Sequence, residues 1–459
     1  MIQTFLRKSF PLVILFLLIG TVGASGISTH TIENISMTDG TTLYVGGSGP
    51  GNFTSIQDAI DSASNGDTVF VYDDSSPYYE NLIVEKSINL VGEHRETTII
   101  DGGGELDVVF IINADGVSIC GFTIQNSGVL WINHGIDLHS SYNTISNNII
   151  KNNKIGIGLY TTTDFTANHN NITNNIIEEN EDKGIFLFQS QYNIITMNNI
   201  ISNNVGGIIL DGSNYNTISN NVFVNDGVGV FNSYQNTILN NTVNGKSLIY
   251  LFGKSDMTIN EDAGQIILVN CDKITVQNQD LSNSCIGITL VNTHNSLISN
   301  NTVSSNDWYG ILLFYSKNNN ISMNIVSDCN NGIVLFTSDE NILFYNRVSS
   351  NKYSAIYLLA SNNNTVSGNS IEDNGGRKWI EGREGLRLRD SSDNYINNNN
   401  FLRNGFPAYF SGTCLRNKWN RNYWNRPRIL PKIVIGRGGQ FQTYRFNFDW
   451  HPVKKPYDI

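Results

Sequence analysis

The sequence is poor in charge, in cysteine and in metal-binding patterns. Charged residues make up 15% of the 459-residue chain, and the formal net charge is −11. The cysteines are scattered and odd in number, so they do not form the framework of a disulfide-rich secreted domain: Cys120, Cys271, Cys285, Cys329 and Cys414. Only Cys271 and Cys285, about one repeat apart, merit a test as a pair. The sequence has no His-x-His, Cys-x-x-Cys or Met-rich segment, so it predicts no transition-metal site. Ca²⁺ on surface carboxylates has no sequence pattern that would predict or exclude it.

Long apolar segments are missing after the N-terminus. Residues 1–24 have the three parts of a secretory signal: Arg7 and Lys8, an apolar run over 10–19, and small residues at 22–24. The apolar run is too short to cross a bilayer comfortably, although an uncleaved anchor is an alternative. We therefore expect a secreted or cell-surface protein without a membrane span once the signal is removed.

What the chain does have is a repeat of about 22 residues. Gly287, Gly310, Gly332 and Ala355 each open an apolar strand, at steps of 23, 22 and 23 residues. A polar turn, a second short strand, an Asn pair and a third short strand follow each time. A period of this size indicates a solenoid, because one repeat has no core of its own and must stack on its neighbours.

The three strands per repeat predict an all-β fold, a single-stranded right-handed parallel β-helix. About 14 rungs at roughly 4.8 Å each would give a rod of about 65 Å. Asn is frequent because it tolerates left-handed backbone angles at corners and can form hydrogen-bonded ladders between rungs. A helix over Ser55–Ala63, with one apolar face, is expected to cover the open end of the core.

Several segments resemble known families. GNFTSIQDAIDSA, YYENLIVEKSINLVGE, TTIIDG and GFTIQN, within residues 41–126, resemble the opening of pectin methylesterases and of exported pectin-lyase-fold proteins. Residues 105–425 resemble the parallel β-helix repeat family, which includes the periplasmic copper-binding NosD-type proteins and the carbohydrate-binding and sugar-hydrolysis domains. NRNYWNRPRILPKIVIG looks like the closing segment of archaeal surface proteins of this kind. The resemblance implies the fold and a link to carbohydrate.

The catalytic motifs of the pectin enzymes are not in the sequence. A methylesterase would need Gln-Ala-Val-Ala-like and Asp-Phe-Ile-Phe-Gly-like segments after GFTIQN, and neither occurs. A polygalacturonase would need an Asp pair, Gly-His-Gly and Arg-Ile-Lys, and NHGID at 133–137 only weakly resembles the second. The fold resemblance therefore does not establish an activity.

Alternation along the first strand of each repeat predicts an outward column of aromatic and aliphatic residues. An exposed apolar strip usually marks a contact. A sugar chain could stack on it, a second subunit could pack there, or the aromatic segment 419–459 could cover it. The ligand-binding candidates are Tyr160, Phe188, Phe314, Phe336 and Tyr357.

A charged insertion at 375–384 offers a second type of site. A lyase acting on uronic acids needs a cation to neutralise the carboxylate and a base to remove a proton. A salt-bridged surface loop is the alternative interpretation. The weak catalytic candidates are Lys378, Arg383, Glu384, Arg387, Arg389 and Asp390.

The charge is unevenly distributed. Residues 377–459 hold 16 Lys and Arg against 6 Asp and Glu, whereas the remainder holds 13 against 34. A basic end on an acidic rod suggests contact with an anionic glycan or envelope and does not match a nucleic-acid-binding pattern.

These observations divide the chain into a signal (1–24), a cap with the first rungs (41–126), β-helix repeats (127–418) and a basic aromatic segment (419–459). The leading hypothesis is a surface protein that binds polysaccharide or a cell-envelope glycan, or has a structural role. The alternatives are a polysaccharide lyase or glycoside hydrolase and a NosD-like accessory protein of metal maturation. A homo-oligomer formed through the column is also open.

Overall fold

The repeat folds as a parallel β-solenoid in which residues one repeat apart are neighbours in a sheet. The computed structural model describes residues 40–376, 382–438 and 443–459. Phe314 is paired with Phe336, and Val334 with Tyr357, in the register that the spacing predicts. Among the described residues, no helix is long and apolar enough to cross a bilayer.

The chain forms the solenoid in two stretches. The first stretch contains helix α1 (Ile56–Ser62) and strands β1 to β24: Thr42–Val45, Thr68–Val71, Tyr78–Tyr79, Leu82–Val84, Asn89–Gly92, Ile99–Asp101, Val109–Ile112, Ser118–Cys120, Thr123–Gln125, His134–His139, Thr144–Ser146, Ile149–Lys151, Ile155–Tyr160, Asn171–Thr173, Ile176–Glu178, Lys183–Phe188, Ile194–Thr196, Asn199–Ile201, Gly206–Asp211, Thr217–Ser219, Val222–Val224, Val228–Phe231, Thr237–Leu239 and Thr242–Val243. The second stretch contains strands β25 to β49: Lys246–Phe252, Ser255–Ile259, Ala263–Val269, Asp272–Gln277, Asp280–Ser282, Ile286–Val291, Leu297–Ser299, Thr302–Ser304, Tyr309–Phe314, Asn320–Ser322, Ile325–Ser327, Asn331–Phe336, Ile342–Phe344, Arg347–Ser349, Ile356–Leu359, Thr365–Ser367, Ser370–Glu372, Glu384–Arg389, Tyr395–Asn397, Asn400–Leu402, Phe406–Ser411, Lys418–Asn420, Tyr423–Trp424, Lys432–Gly438 and Thr443–Asp449.

Each stretch has three sheets, and the longest strands form one of them. In the first stretch this long-strand sheet is β4-β7-β10-β13-β16-β19-β22. In the second stretch the corresponding sheet runs from β25 and β27 through β30, β33, β36, β39, β42 and β45 to β48. The solenoid has about 17 turns, not 14, because residues 41–126 already form complete turns and residues 246–277 add more.

Side chains of one residue type stack along the solenoid and close its corners. Asn198 Oδ1 accepts from the Asn175 backbone N–H at 2.9 Å and from its amide at 3.1 Å, and Asn198 donates in turn to Asn221 at 3.0 Å. The same pattern links Asn324, Asn346 and Asn369. These Asn are buried, so each ladder satisfies backbone groups that turns would otherwise leave without partners.

Helix α1 connects β1 with β2 and packs against β1, β2 and β4. It is one residue shorter at each end than predicted, because Ser55 and Ala63 are its caps. The Ser55 hydroxyl accepts from the Asp58 N–H, and Ala63 has left the helical conformation. Ile56, Ala59 and Ile60 form its buried face, as the apolar spacing predicts.

The interruption at 244–264 reverses the direction of the chain. Strands β25 and β26 form an irregular rung there, in which β25 runs antiparallel to β24 and parallel to β27. The Gln265 amide then joins the two stretches, since it bonds the Val228 backbone N–H and C=O at 2.9 and 2.8 Å and the Ile286 C=O at 2.8 Å. The Phe231 ring, from β22, lies 5.0 Å from Trp308 and 6.1 Å from Phe314. The outward faces of the two long-strand sheets therefore meet at this junction.

The described residues of the segment 419–459 continue the solenoid and do not form a separate cover over the column. Strands β46 and β47 pair with the preceding turn, β48 pairs with β45, and β49 folds back on β48. Asp449 ends one Asn ladder, accepting from the Asn422 N–H, the Asn422 amide and the Trp424 indole at 2.9 to 3.0 Å. The described part of this segment thus closes the C-terminal end.

Candidate functional site

The outward column is accessible in parts only. Phe314 is 2% exposed and Phe336 6%, whereas Tyr160, Phe188 and Tyr357 are half-buried. The prediction that the column faces solvent is wrong at Phe314 and Phe336. The Phe231 ring of the first stretch lies against Phe314, and Phe314 in turn stacks on Phe336. Half-exposed rings remain on the first stretch, at Tyr160 and Phe188.

A hydrogen-bonded chain of three residues lies beside these rings. The Asp107 carboxylate accepts from the His134 backbone N–H at 2.6 Å and lies 3.1 Å from His134 Nδ1. His134 Nε2 lies 2.7 Å from the Tyr160 hydroxyl. Because a carboxylate only accepts, Nδ1 carries the proton and Nε2 accepts from the Tyr160 O–H. The His134 ring is buried, so its orientation is fixed from both sides.

Gly158 makes the contact between His134 and Tyr160 possible. It occupies an outward position on β13, next to Asp137 on β10. A Cβ at this position would stand 2.6 Å from His134 Cδ2 and 2.6 Å from Tyr160 Cε2. Any other residue would therefore push the two rings apart.

Two buried polar atoms next to this chain have no hydrogen-bond partner among the residues that the structure describes. His139 Nε2 lies 3.2 Å from Asp137 Oδ2, which favours the proton on Nε2, and in the neutral imidazole Nδ1 is then an acceptor. Asp137 Oδ1 and His139 Nδ1 are both buried and unpaired. A buried polar atom without a partner is costly, and a ligand that supplies a donor removes the cost.

Aromatic rings surround these two acceptors. Phe110 and Phe165 lie 5.0 and 5.1 Å from the His139 ring. Phe186 and Phe188 lie 5.7 and 6.3 Å from Tyr160. We call the region of Asp107, His134, Asp137, His139, Tyr160 and these phenylalanines the first-stretch hollow. Burial raises the pKa of Tyr160 well above its usual range, and the charges of Asp137 and Asp107 add to this. The phenol is therefore neutral and can donate.

The second stretch places its candidates differently. The Arg387 guanidinium lies 5.2 Å from the Tyr357 ring, which stands next to it in the sheet. Glu384 is fully buried, and its carboxylate accepts from the Gly382 N–H at 2.9 Å and the Ser354 hydroxyl at 3.1 Å. This carboxylate is held by the fold.

The remaining loop candidates also lie near structural partners. Asp390 accepts from the Thr413 N–H at 2.8 Å and lies 3.7 Å from Arg389. The Arg383 guanidinium lies 5.9 Å from the Tyr353 ring. Lys378 lies outside the described residues. The catalytic role of this loop stays a prediction.

Sequence reasoning missed Asp107 and His134 as members of a site. The sequence analysis noted NHGID at 133–137, which contains His134 and Asp137, only as a weak motif. The signal that could have identified the cluster is Gly158, a glycine at an outward position directly beside the polar residues of the preceding rung. His169, another histidine of the first stretch, stacks between Tyr142 and Tyr192, at 5.0 and 5.1 Å.

A family model described as "Periplasmic copper-binding protein (NosD)" matches residues 60–256 and 244–439. The two matches meet at the hairpin between β24 and β25, so each covers one stretch of the solenoid. No curated protein sequence matches the chain.

Solved structures resemble the chain at low identity. The A-module of the mannuronan C-5 epimerase AlgE4 of Azotobacter vinelandii is 12% identical, over 79% of this chain and 90% of that chain, with a TM-score of 0.29. The Dettilon tailspike protein is 14% identical, over 87% and 63%, with a TM-score of 0.30. A mutant of the periplasmic alginate epimerase AlgG is 12% identical, over 77% and 72%, with a TM-score of 0.30.

Copper, which the family description names, does not fit the described side chains. Asp107, His134 and Asp137 lie within reach of one ion, but both His134 ring nitrogens are already bonded, to Asp107 and Tyr160. The sulfur donors that Cu(I) prefers are separate: the five cysteines are free thiols, and Cys271 and Cys414 direct their sulfurs at backbone carbonyls.

The other grouped ligands, Asp73, Glu93 and His94, lie at the surface, with two carboxylates and a single imidazole. Carboxylate oxygens suit harder cations better than copper. The described side chains therefore do not support a copper-dependent function. By the extent of the sequence match, which spans both stretches of the solenoid, the chain belongs to the NosD family of β-helix proteins.

Proposed function

We propose that this protein is exported and binds the hydroxyl groups of a glycan in the first-stretch hollow. The observation that carries the proposal is the pair of buried, unpaired acceptors, Asp137 Oδ1 and His139 Nδ1, among aromatic rings. Sugars offer hydroxyl donors together with C–H faces that pack on rings, which matches this combination. The family description as periplasmic supports export.

The charges around the hollow favour a neutral glycan. The carboxylates of Asp107 and Asp137 lie close to the acceptors, and a uronate carboxylate would be repelled there. Lys183 is the cation on the adjacent strand, but its Nζ lies 2.7 Å from Asp182, which offsets its charge. The acidic surroundings of the first-stretch hollow thus distinguish it from the basic C-terminal segment.

A glycan array with the full chain tests the proposal. Phe188→Ala removes a half-buried ring at the edge, and Asp137→Ala removes one acceptor. We expect each to weaken binding to the strongest glycan at least tenfold, which corresponds to about 1.4 kcal/mol. Ile342→Ser, at an exposed apolar position on a short strand of the second stretch, is the matched control. Binding that survives both changes would contradict the proposal.

A second candidate function is acid–base catalysis on the bound glycan. The Asp107–His134–Tyr160 chain favours it, because a phenol hydrogen-bonded to an oriented imidazole can relay a proton to or from a bound glycan. The reaction class would be that of a polysaccharide lyase or glycoside hydrolase. This chain of hydrogen bonds is a better acid–base arrangement than the 375–390 loop, where the Glu384 carboxylate is already bonded to the fold.

Tyr160→Phe separates the two functions. The change keeps the ring and removes the hydroxyl, so binding alone would be nearly unaffected. Catalysis would fall by about 10²-fold or more, the usual contribution of a positioned acid–base group. Release of reducing or unsaturated sugar ends from the bound glycan is the assay. Absence of turnover in the native protein would leave binding as the function.

A further inference from the structure

The most exposed large apolar side chains of the described residues lie at the C-terminal end. Residues 425–431 link β47 to β48, and Ile429 and Leu430 at the middle of this link are 84% and 76% exposed. Pro427 and Pro431 flank them and limit the backbone conformations of the link. We call residues 426–432 the C-terminal tip.

Cations flank this apolar pair. Arg426, Arg428 and Lys432 lie within seven residues, and among the described residues none of them forms an ion pair with a carboxylate. Lys432 Nζ lies 5.8 Å from the Trp424 ring. Partial burial, and then the neighbouring arginines, lower the pKa of Lys432, and the same two causes lower the pKa of Arg428. The cations thus repel one another, and an anionic partner would relieve this.

The combination of an apolar tip with flanking cations defines the partner. Polysaccharides and nucleic acids have no apolar interior that could bury two aliphatic side chains. A bilayer has both an apolar interior and a charged surface, and basic residues near it are attracted to anionic headgroups. We propose that the C-terminal tip docks the protein on a lipid surface that carries anionic headgroups.

A second exposed apolar loop among the described residues, at 129–132, does not have this combination. Val129, Leu130, Trp131 and Ile132 are exposed, and Asp107, which accepts from the neighbouring His134 N–H, is acidic. This loop has no flanking cation between residues 127 and 133. Both loops thus expose apolar side chains, and the flanking cations distinguish the C-terminal tip.

Co-sedimentation of the full chain with vesicles tests the proposal. Vesicles of phosphatidylcholine with phosphatidylglycerol should bind the protein at least tenfold more tightly than vesicles of phosphatidylcholine alone. Ile429→Ser with Leu430→Ser, and separately the three cations changed to Gln, should each reduce binding at least tenfold. High salt should weaken vesicle binding by the native protein in the same way as the cation variant does, because salt screens charges. The affinity lost in the Ile429 and Leu430 variant should not resemble this effect of salt. Ile325→Ser with Ile342→Ser, two exposed apolar positions on the second stretch, is the matched control and should bind normally.

Insertion itself has a direct readout. Leu430→Trp should show a blue-shifted emission with anionic vesicles, and quenching by brominated acyl chains. The proposal is overturned if anionic vesicles do not bind, if both variants bind as well as the native protein, or if a soluble anionic polysaccharide binds the cations while vesicles do not. None of these results bears on glycan binding in the first-stretch hollow, which uses different residues.

Discussion

The Asn ladders make a quantitative prediction about stability. Asn346 lies at the middle of one ladder. Its Oδ1 accepts from the Asn324 backbone N–H at 3.0 Å and the Asn324 amide at 2.9 Å. Its amide donates to the Ile321 C=O at 2.7 Å and to Asn369 Oδ1 at 3.0 Å. Asn346→Ala removes all four bonds.

The four bonds are not equal. The buried Asn324 N–H loses its acceptor, which costs about 1–3 kcal/mol, and the other three bonds contribute about 0.5–1.5 kcal/mol each. We therefore expect a loss of about 2.5–7.5 kcal/mol in the free energy of unfolding, measured by urea denaturation.

Asn300→Gly is the matched control for this measurement. Asn300 is exposed, has a φ of 55°, and sits at the same corner one residue before a ladder Asn. Glycine accepts this backbone conformation, so the change should cost less than about 1 kcal/mol. The reasoning would be refuted if Asn346→Ala cost no more than Asn300→Gly.

Three further predictions concern the junction and the hollow. Asp226 stands where the ladder has Asn elsewhere, and burial raises its pKa to about 8. The stability that the neutral carboxyl contributes is fully present below the unfolded pKa of about 4. It is lost as the pH rises through 8. Asp226→Asn should therefore flatten the pH dependence of the thermal midpoint between pH 4 and 8 and stabilise the protein at pH 8; an unchanged profile would contradict this. Gly158→Ala should lower the free energy of unfolding by about 1–3 kcal/mol through overpacking, measured by urea denaturation, and should weaken glycan binding, measured by titration. A variant that matches the native protein in both measurements would show that the His134 and Tyr160 rings can separate freely. Phe231→Ala should cost about 3 kcal/mol and speed amide exchange in both 228–231 and 309–314; faster exchange in one segment alone would mean that the two stretches are not coupled there.

The periodicity was enough to predict the fold class. Two markers in phase, Gly and Asn, predict three strands per turn, and the sheet register confirms the vertical neighbours. The reversal at 244–264 could not be predicted, because Gly245 and the apolar run after it fit both a hairpin and another rung. The choice depends on long-range contacts such as that of the Gln265 amide with Val228.

The candidate site was harder to predict than the fold. Alternation shows which side chains point outward, and it correctly placed Tyr160 and Phe188 on the surface of the first stretch. It does not show what lies opposite, so Phe314 and Phe336 were assigned to a ligand although the junction buries them. Asp107 was missed because its link to His134 spans 27 residues.

The most direct test of the account compares two half-buried tyrosines on opposite stretches. Titration of the strongest array glycan against Tyr160→Ala and Tyr357→Ala asks which stretch holds the ligand. We predict that Tyr160→Ala lowers the affinity at least tenfold and that Tyr357→Ala changes it less than twofold. The opposite order, or equal affinity in both variants and the native protein, would contradict a glycan site in the first-stretch hollow.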